Sequence, residues 1–243
     1  MRRFTLIIDG TRYPLNRENG ILLHNVSGLG TVNTNTFSAI GKTGFYARTN
    51  REIAQGQVVG ELAFFGQAYS KYTSFSDALL TATSLVLCYA PNGTEYKADV
   101  ELSYLTKTEL TGGVYLSVPV AFHLRGLWYT EETLTGTGSV SVSAGGQAET
   151  AVRVRVTSAL TNPDLTLVSS GVTVAEAKLT CTTSGVFEYS NFPDDSHITD
   201  GTADLIPYVD TQNTVYGRTR NAFTVNLSGA AMTVTVRKYW RTV

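Results

Sequence analysis

Two neighbouring segments of this 243-residue chain alternate strictly between apolar and polar side chains, a pattern that suits β-strands and no helix. The apolar positions of the first segment are Tyr96, Ala98, Val100, Leu102 and Tyr104. Those of the second are Val114, Leu116, Val118, Val120, Phe122 and Leu124. Because successive side chains leave opposite faces of the pleat, each segment predicts a half-buried strand. The intervening Gly112-Gly113 favours antiparallel pairing through a hairpin, whereas Pro119, which lacks an N–H, favours a sheet edge or a bulge.

The start of the chain predicts another hairpin. Residues 4–8 and 11–15 are strand-like and flank Asp9-Gly10, a dipeptide preferred in type I′ turns. A further strand is expected at residues 85–89, and Pro91-Asn92-Gly93 turns the chain from it into the first alternating segment.

One segment favours a helix. Ser74 and Asp77 have the spacing of a capping box, in which each side chain satisfies a free backbone N–H of the first turn. The apolar stripe that follows is Phe75, Ala78, Leu79 and Ala82. We therefore expect one short helix of about two turns that begins at Ser74.

The second half of the chain has a different character. Residues 129–139 are small and polar without apolar periodicity, so we place a domain junction there, with a linker at residues 130–138. Strand candidates follow at residues 152–156, 165–167, 172–181, 186–189, 204–209, 222–227 and 232–239. Short strands separated by Gly, Asn and Asp are typical of a β-sandwich. Two mainly β domains are expected, residues 1–129 and 139–243, with the last strand, 232–243, either in the second domain or returning to the first.

Composition excludes several classes of function. Charged residues make up 16% of the chain and the net charge is −1, so no basic field is available for phosphate binding. Specific nucleic-acid binding is therefore not expected. No segment approaches the ~18 apolar residues of a membrane span, and we expect a soluble protein without membrane contact. Cys88 and Cys181 fall in different domains and are expected to be free thiols.

Motifs that carry catalytic or metal chemistry are also missing. The chain has no Gly-x-Ser-x-Gly elbow, and Gly28-Leu29-Gly30 lacks the third glycine of a dinucleotide loop. Its histidines lack the spacing of zinc ligands; they are His24, His123 and His197. Residues 194–200 are acidic but lack the order of a calcium loop, and we expect them to form a solvated loop. The consecutive Glu131 and Glu132 are likewise assigned to solvent. We predict no catalytic residue, no metal and no cofactor, and hence no enzyme.

Several short segments stand in a characteristic order within residues 1–129. They are Tyr13-Pro14-Leu15-Asn16, Gly20-Ile21-Leu22-Leu23, Ser27-Gly28-Leu29-Gly30, residues 89–96, Val100, Lys107-Thr108-Glu109, residues 116–122 and Leu127-Trp128-Tyr129. Their order and spacing resemble the distal tail proteins of long-tailed phages and prophages of Gram-positive bacteria. That family often has Pro where Leu127 stands. Residues 151–157 and Thr161-Asn162-Pro163 resemble the first strand and turn of the family's galectin-like second domain.

The resemblance implies a structural protein of a phage or prophage tail tip or baseplate, located in the virion. Residues 1–129 would form a β-sandwich ring domain with one short helix, and residues 139–243 a galectin-like β-sandwich. Copies of the chain would form a hexameric hub ring that joins the tail tube protein to the tail-tip protein and carries receptor-binding proteins. DNA would pass through this ring without specific binding.

A ring needs contacts between copies that close on themselves, and strand edges can supply them. We expect strands within residues 21–65, with Val58, Leu62 and Phe64, to contribute the subunit interface. Ordinary core packing of these three side chains is equally compatible with the sequence.

The alternative function is a carbohydrate-binding module that helps attach the particle to the host surface. Exposed aromatic rings can stack on sugars, and the candidate glycan contacts are Tyr208, Tyr216 and Trp240. Core packing is the other interpretation of these rings.

Overall fold

The computed structural model describes residues 2–30, 32–40, 45–54, 56–107 and 115–243; for residues 32–40, 45–54 and 115 it describes the backbone alone. The chain divides into two compact units. Unit 1 comprises Met1–Trp128 with Arg241–Val243, and unit 2 comprises Tyr129–Trp240. Strands dominate both units, which confirms the mainly β fold with one short α-helix among the described residues. No helix in these ranges is long and apolar enough to cross a membrane.

The strands and helix of unit 1 lie in the first 124 residues. They are β1 (Arg3–Ile8), β2 (Thr11–Pro14), β3 (Ile21–Ser27), β4 (Val32–Ile40), β5 (Phe45–Ala54), β6 (Gln57–Phe65), α1 (Ala68–Thr81), β7 (Leu85–Ala90), β8 (Tyr96–Leu105) and β9 (Tyr115–Leu124). β4 and β5 form a two-stranded sheet of their own.

The other strands of unit 1 form two antiparallel series that share one strand. β2, β1, β7 and β8 follow one another in the first series, and β3, β6, β9 and β8 in the second. β8 belongs to both because residues 96–99 pair with β7 and residues 100–105 pair with β9. Apolar side chains from both series are fully buried, among them Leu6, Leu87 and Leu62. This arrangement is a β-sandwich.

The hairpin predicted at the start of the chain is confirmed. β1 and β2 pair antiparallel, and Asp9 and Gly10 have the positive φ angles, 45° and 81°, that a type I′ turn requires. The Asp9 carboxylate also accepts hydrogen bonds from the backbone N–H groups of Thr83 and Ser84, at 3.0 and 2.8 Å. The turn is thereby tied to the residues that precede β7.

The predicted pairing of the alternating segments is confirmed for β8 and β9, while Gly112-Gly113 and Val114 lie outside the described residues. Alternation holds at Ala98 and Val100, which are buried. It fails at Tyr104, which is 40% exposed, because a β-bulge between Leu102 and Tyr104 shifts the register by one residue. One extra residue reverses the face that later side chains occupy.

Pro119 lies in a strand with partners on both sides, so the expected sheet edge is wrong. Its carbonyl oxygen accepts a hydrogen bond from the N–H of Thr106, one residue beyond the end of β8. In an antiparallel strand the N–H and C=O of one residue point to the same side. The N–H that Pro119 lacks would therefore point toward Thr106, where β8 has already ended, so no hydrogen bond of the ladder is lost.

The helix begins six residues earlier than predicted. α1 starts after Gln67, whose φ is 55°, and no side chain caps it, so the capping box at Ser74 and Asp77 is not used. Phe75 and Leu79 of the predicted stripe are buried, as is Ala68, two turns before Phe75. The left-handed Gln67 turns the chain out of β6, and this turn decides where the helix begins.

Unit 2 is built from the remaining strands. They are β10 (Trp128–Val142), β11 (Ala151–Val156), β12 (Asp164–Ser169), β13 (Val172–Lys178), β14 (Phe187–Phe192), β15 (Asp195–Thr199) and β16 (Phe223–Trp240), with a 3-10 helix at Ile206–Tyr208. One sheet has the order β15-β14-β11-β16-β10. β13 and β12 form the other with the first half of β16, since residues 224–227 pair with β12 and residues 233–237 with β11. The two sheets enclose one core of mainly aliphatic side chains, with the aromatic rings of Phe187, Tyr189 and Phe223.

Several local expectations for unit 2 are wrong. Residues 130–138 are not an irregular linker but part of β10, whose small polar residues occupy an exposed strand. The strands expected at 222–227 and 232–239 are one strand, β16, bent where Gly229 has a φ of 72°. Residues 204–209 contain a 3-10 helix instead of a strand, because Pro207 near its start cannot donate to a sheet ladder.

The C-terminal end of the chain is divided between the two units. β16 ends at Trp240, and residues 241–243 cluster with unit 1, where Thr242 forms an isolated bridge with Gly30. The last twelve residues are therefore shared between the two units, with Met232 buried in unit 2.

Candidate functional site

The three side chains predicted for a subunit interface lie inside unit 1. Val58, Leu62 and Phe64 alternate along β6 and are 1%, 0% and 0% exposed. The ring of Phe64 meets the edges of Tyr72 and Phe75 of α1, at centroid distances of 5.6 and 6.0 Å. Their burial matches the core interpretation that the sequence left open, because an interface needs side chains that a second copy can reach.

The segment that contains them nevertheless presents free backbone edges. β4 and β5 pair along their whole length, from Val32 with Ala54 to Ile40 with Phe45, and no other strand of the described ranges joins their sheet. Among the described strands, β3 pairs with β6 alone, so residues 21–27 also form an edge there. Unpaired N–H and C=O groups along such edges can add a strand from another chain.

The three predicted glycan-contacting rings have different surroundings in unit 2. Tyr208, in the 3-10 helix, is 49% exposed. Tyr216 is half-buried and stacks on the buried Tyr189 at 6.1 Å. Trp240 is half-buried and donates from Nε1 to Thr130 Oγ1 at 3.4 Å. No ring contact joins any two of the three among the residues described, so stacking on one sugar by the whole set has no support.

A network of charged side chains covers the outer face of the unit 2 sheet. β15, which was not predicted, brings Asp195 and His197 beside Arg153 and Glu188. His197 lies between the two carboxylates, with Nδ1 2.9 Å from Asp195 and Nε2 3.1 Å from Glu188. Arg153 forms ion pairs with the same two carboxylates. The acidic stretch 194–200 is therefore a paired strand and turn, not a solvated loop.

Arg237 closes one end of this network. Its guanidinium lies between the faces of Tyr129 and Phe192, 4.3 and 4.2 Å from the ring centroids, and pairs with Glu131 at 3.0 Å and Asp194 at 3.6 Å. Burial alone would lower the pKa of Arg237, but the nearby Tyr129 and Glu131 outweigh it and raise this pKa further. The guanidinium therefore stays charged and holds β10, β14 and β16 together.

Other reactive groups are separated from one another. Within the part of the chain that is described, no three His, Cys, Asp or Glu side chains gather in a geometry suited to a metal ion. Cys88 and Cys181 are free, and burial raises the pKa of Cys88 to about 12, so its thiol stays protonated and unreactive at neutral pH. These thiols are not arranged for nucleophilic chemistry.

Comparison with known proteins identifies the family. A family model described as the N-terminal domain of the distal tail protein matches residues 3–124. No curated protein matches. Three solved structures share the fold at 18% identity or less, which is informative about the fold alone.

The first structure is Dit (gp 19.1) of phage SPP1, described as a paradigm of the hub adsorption apparatus in phages that infect Gram-positive bacteria. It is 16% identical with a TM-score of 0.66, over 97% of this chain and 98% of that chain. The phage P2 baseplate in its activated conformation with Ca is 18% identical with a TM-score of 0.72, over 100% of both chains. The same baseplate with Sr gives 18% and 0.69, over 97% and 98%. Because the family model spans half of its length, this chain belongs to the distal tail protein family and is a structural component of the phage tail tip.

Proposed function

We propose that six copies of this chain close into a ring that serves as the hub of the tail tip. Membership in the distal tail protein family supports this proposal, as does the whole-chain fold similarity to a protein described as a hub adsorption apparatus. In this proposal, residues 1–129 form the ring domain and residues 139–243 form the galectin-like domain. The ring joins the tail tube protein to the tail-tip protein and carries receptor-binding proteins, and DNA passes through it without specific binding.

The hairpin of β4 and β5 carries the proposal of ring closure. A closed ring requires that one surface of each copy bind a different surface of the next. The hairpin forms a sheet of its own, and β3 offers a separate free edge. A separate pair of strands and an edge that can accept one are complementary surfaces of this kind. The subunit interface predicted within residues 21–65 would therefore be made by backbone edges, with Val58, Leu62 and Phe64 supporting them from the core.

The solution mass of the purified chain tests the ring. We expect light scattering to give about 158 kDa, six times the 26.3-kDa chain, with closed rings in negative-stain images of the same peak. A monomer that assembles when purified tail tube protein is added would place ring closure under the control of that partner. A monomer that does not respond to the tube or tail-tip protein contradicts the hub.

Removal of the hairpin tests the interface. Residues 32–54 are replaced by a short Gly-Ser linker, and every buried residue that the structure describes lies outside this range. We expect the variant to stay folded by circular dichroism and to be monomeric by light scattering. Rings formed by the shortened chain would show that other surfaces close the hub.

A wall-degrading enzyme is the competing class of function for a tail-tip protein. The family is one of structural proteins, which supports a role without catalysis. We therefore expect no soluble fragments when the purified protein is incubated with cell-wall preparations of the host. Release of reducing ends or free amino groups would contradict a purely structural role.

A further inference from the structure

The outer face of the five-stranded sheet of unit 2 carries a continuous polar row. Arg155 on β11 pairs in register with Thr233 on β16 and with Glu188 on β14, and Glu188 pairs with Thr199 on β15. Neighbouring residues in register on one face of a sheet place their side chains about 5 Å apart. The row therefore presents alternating hydroxyl, guanidinium and carboxylate groups across four strands.

Two surface cavities meet at Arg155. One has a volume of about 770 Å³, and its lining includes Thr135, Thr137 and Thr233. The other, of about 680 Å³, includes Glu188 and the turn at residues 199–202. Arg155 lines both. Volumes of this size accommodate one or two sugar rings. The two adjoining depressions share Arg155 and are together called the groove.

Within this groove the carboxylate is fixed and the guanidinium is available. Glu188 is held by His197 at 3.1 Å and by Arg153 at 3.7 Å, so its orientation is set before any ligand arrives. Arg155 is 58% exposed, and its Nε lies 3.8 Å from a carboxylate oxygen of Glu188. Its terminal nitrogens can therefore donate to a ligand while Glu188 accepts from it.

The chemistry favours an uncharged ligand with adjacent hydroxyl groups. Two arginines, Arg153 and Arg155, face the carboxylates of Glu188, Asp195 and Asp200, so the groove has no excess of positive charge for a phosphate or a uronic acid. A donor fork beside a fixed acceptor matches a pair of neighbouring hydroxyls, each of which donates and accepts. The aromatic rings on this face, Tyr129 and Phe192, are covered by Arg237 and do not supply stacking.

We propose that the groove centred on Arg155 and Glu188 binds a neutral saccharide of the host surface through two adjacent hydroxyl groups. The site differs from the rings of Tyr208, Tyr216 and Trp240. It lies within unit 2 and does not depend on assembly of the hexameric hub ring. Without aromatic stacking each site binds weakly, with a dissociation constant on the order of millimolar, and several sites on one particle add avidity.

The test uses the full-length protein and immobilised oligosaccharides of neutral hexoses and N-acetylhexosamines, with polyglycerol phosphate as the anionic probe. We expect binding to at least one neutral oligosaccharide and about tenfold weaker binding by R155Q, which removes the donor fork. R155K keeps the charge but not the planar fork and should weaken binding similarly. R220Q, the same charge change at an exposed position outside the groove, should leave binding unchanged.

Three results would overturn the proposal: no neutral saccharide bound at millimolar concentration, binding to polyglycerol phosphate alone, or binding that survives both R155Q and R155K. Thermal unfolding of each variant shows that it is folded. The mass of the same samples by light scattering reports ring formation separately, so failure of the saccharide site is distinguishable from failure of the hub.

Discussion

The two units use the same architecture but differ in what they present to other molecules. In each, two sheets share one strand, β8 in unit 1 and β16 in unit 2. Unit 1 has 12 basic and 9 acidic residues, a net charge of +3, and unit 2 has 7 basic and 11 acidic residues, a net charge of −4. The overall charge of −1 conceals this separation.

The surfaces differ in kind as well as in charge. Unit 1 presents backbone edges at β3 and at the β4–β5 hairpin, whereas the outer sheet face of unit 2 presents a network of charged side chains. Backbone edges favour binding to another copy, since any strand can pair with them, and side-chain networks favour selective contacts. Under the proposed function, unit 1 would serve assembly and unit 2 would serve recognition.

The largest effect is expected from emptying the unit 1 core. F64A removes a ring that is fully buried under α1, between Tyr72 and Phe75, and should cost about 3–5 kcal/mol of the unfolding free energy of unit 1. Urea unfolding followed by circular dichroism measures it. If the units unfold independently, a transition assigned to unit 2 keeps its midpoint. A single transition shifted as a whole would show that the units are coupled.

The second-largest loss of stability is expected from removal of the Arg237 side chain. R237A removes two cation–π contacts and the ion pair with Glu131, at a cost of about 3 kcal/mol to unit 2. R220A, at an exposed position, is the control and should change the midpoint little. Equal midpoints for the two variants would mean that the contacts of Arg237 contribute no measurable stability.

One glycine in each unit lies so close to a backbone carbonyl oxygen that a side chain would collide with it. Replacement by alanine should lower the unfolding free energy of that unit by about 2 kcal/mol. A Cβ on Gly28 would collide with the carbonyl oxygen of Gln57 in unit 1, and one on Gly217 with that of Val174 in unit 2. G28A also places alanine at a φ of 83°. G10A has the same kind of positive φ but open space around it, so the difference in thermal midpoint between G28A and G10A isolates the collision.

Acid should lower the thermal stability of both units by less than the substitutions above do. Hydrogen bonds from Thr83 lower the pKa of Asp9 in unit 1, and those from Thr211 lower the pKa of Glu176 in unit 2. A lowered pKa in the folded state contributes stability above the ordinary value, and this contribution is lost as the pH falls through the folded value. Melting temperatures should therefore drop below about pH 4. D9N should flatten this drop for unit 1 without altering that of unit 2.

Local signals in the sequence were sufficient for the strands whose residues touch near neighbours. The Asp9-Gly10 hairpin and the pairing of β8 with β9 follow from turn chemistry and period-two alternation, both of which act over a few residues. The order of segments such as Ser27-Gly28-Leu29-Gly30 also carried the family. Gly28 is an example of a residue in such a segment that the local backbone requires, because its positive φ and its closeness to Gln57 exclude any side chain.

Long-range pairing decided what these signals could not. β15 has no apolar alternation, and it is a strand because Glu188, Ser190 and their neighbours on β14 offer an edge to it. β16 runs through Gly229 as one strand because it has partners in both sheets. The arrangement of Arg153, Glu188, Asp195 and His197 likewise depends on three strands meeting in one register.

The sequence by itself determined the fold class, the first hairpin, the paired alternating strands and the family, because these depend on residue type and on spacing over short distances. The tertiary structure alone decided that Val58, Leu62 and Phe64 are enclosed, where α1 begins, and that Arg155 and Glu188 stand side by side. The physical reason is that burial and register are set by partners distant in the chain, whose positions no local pattern specifies.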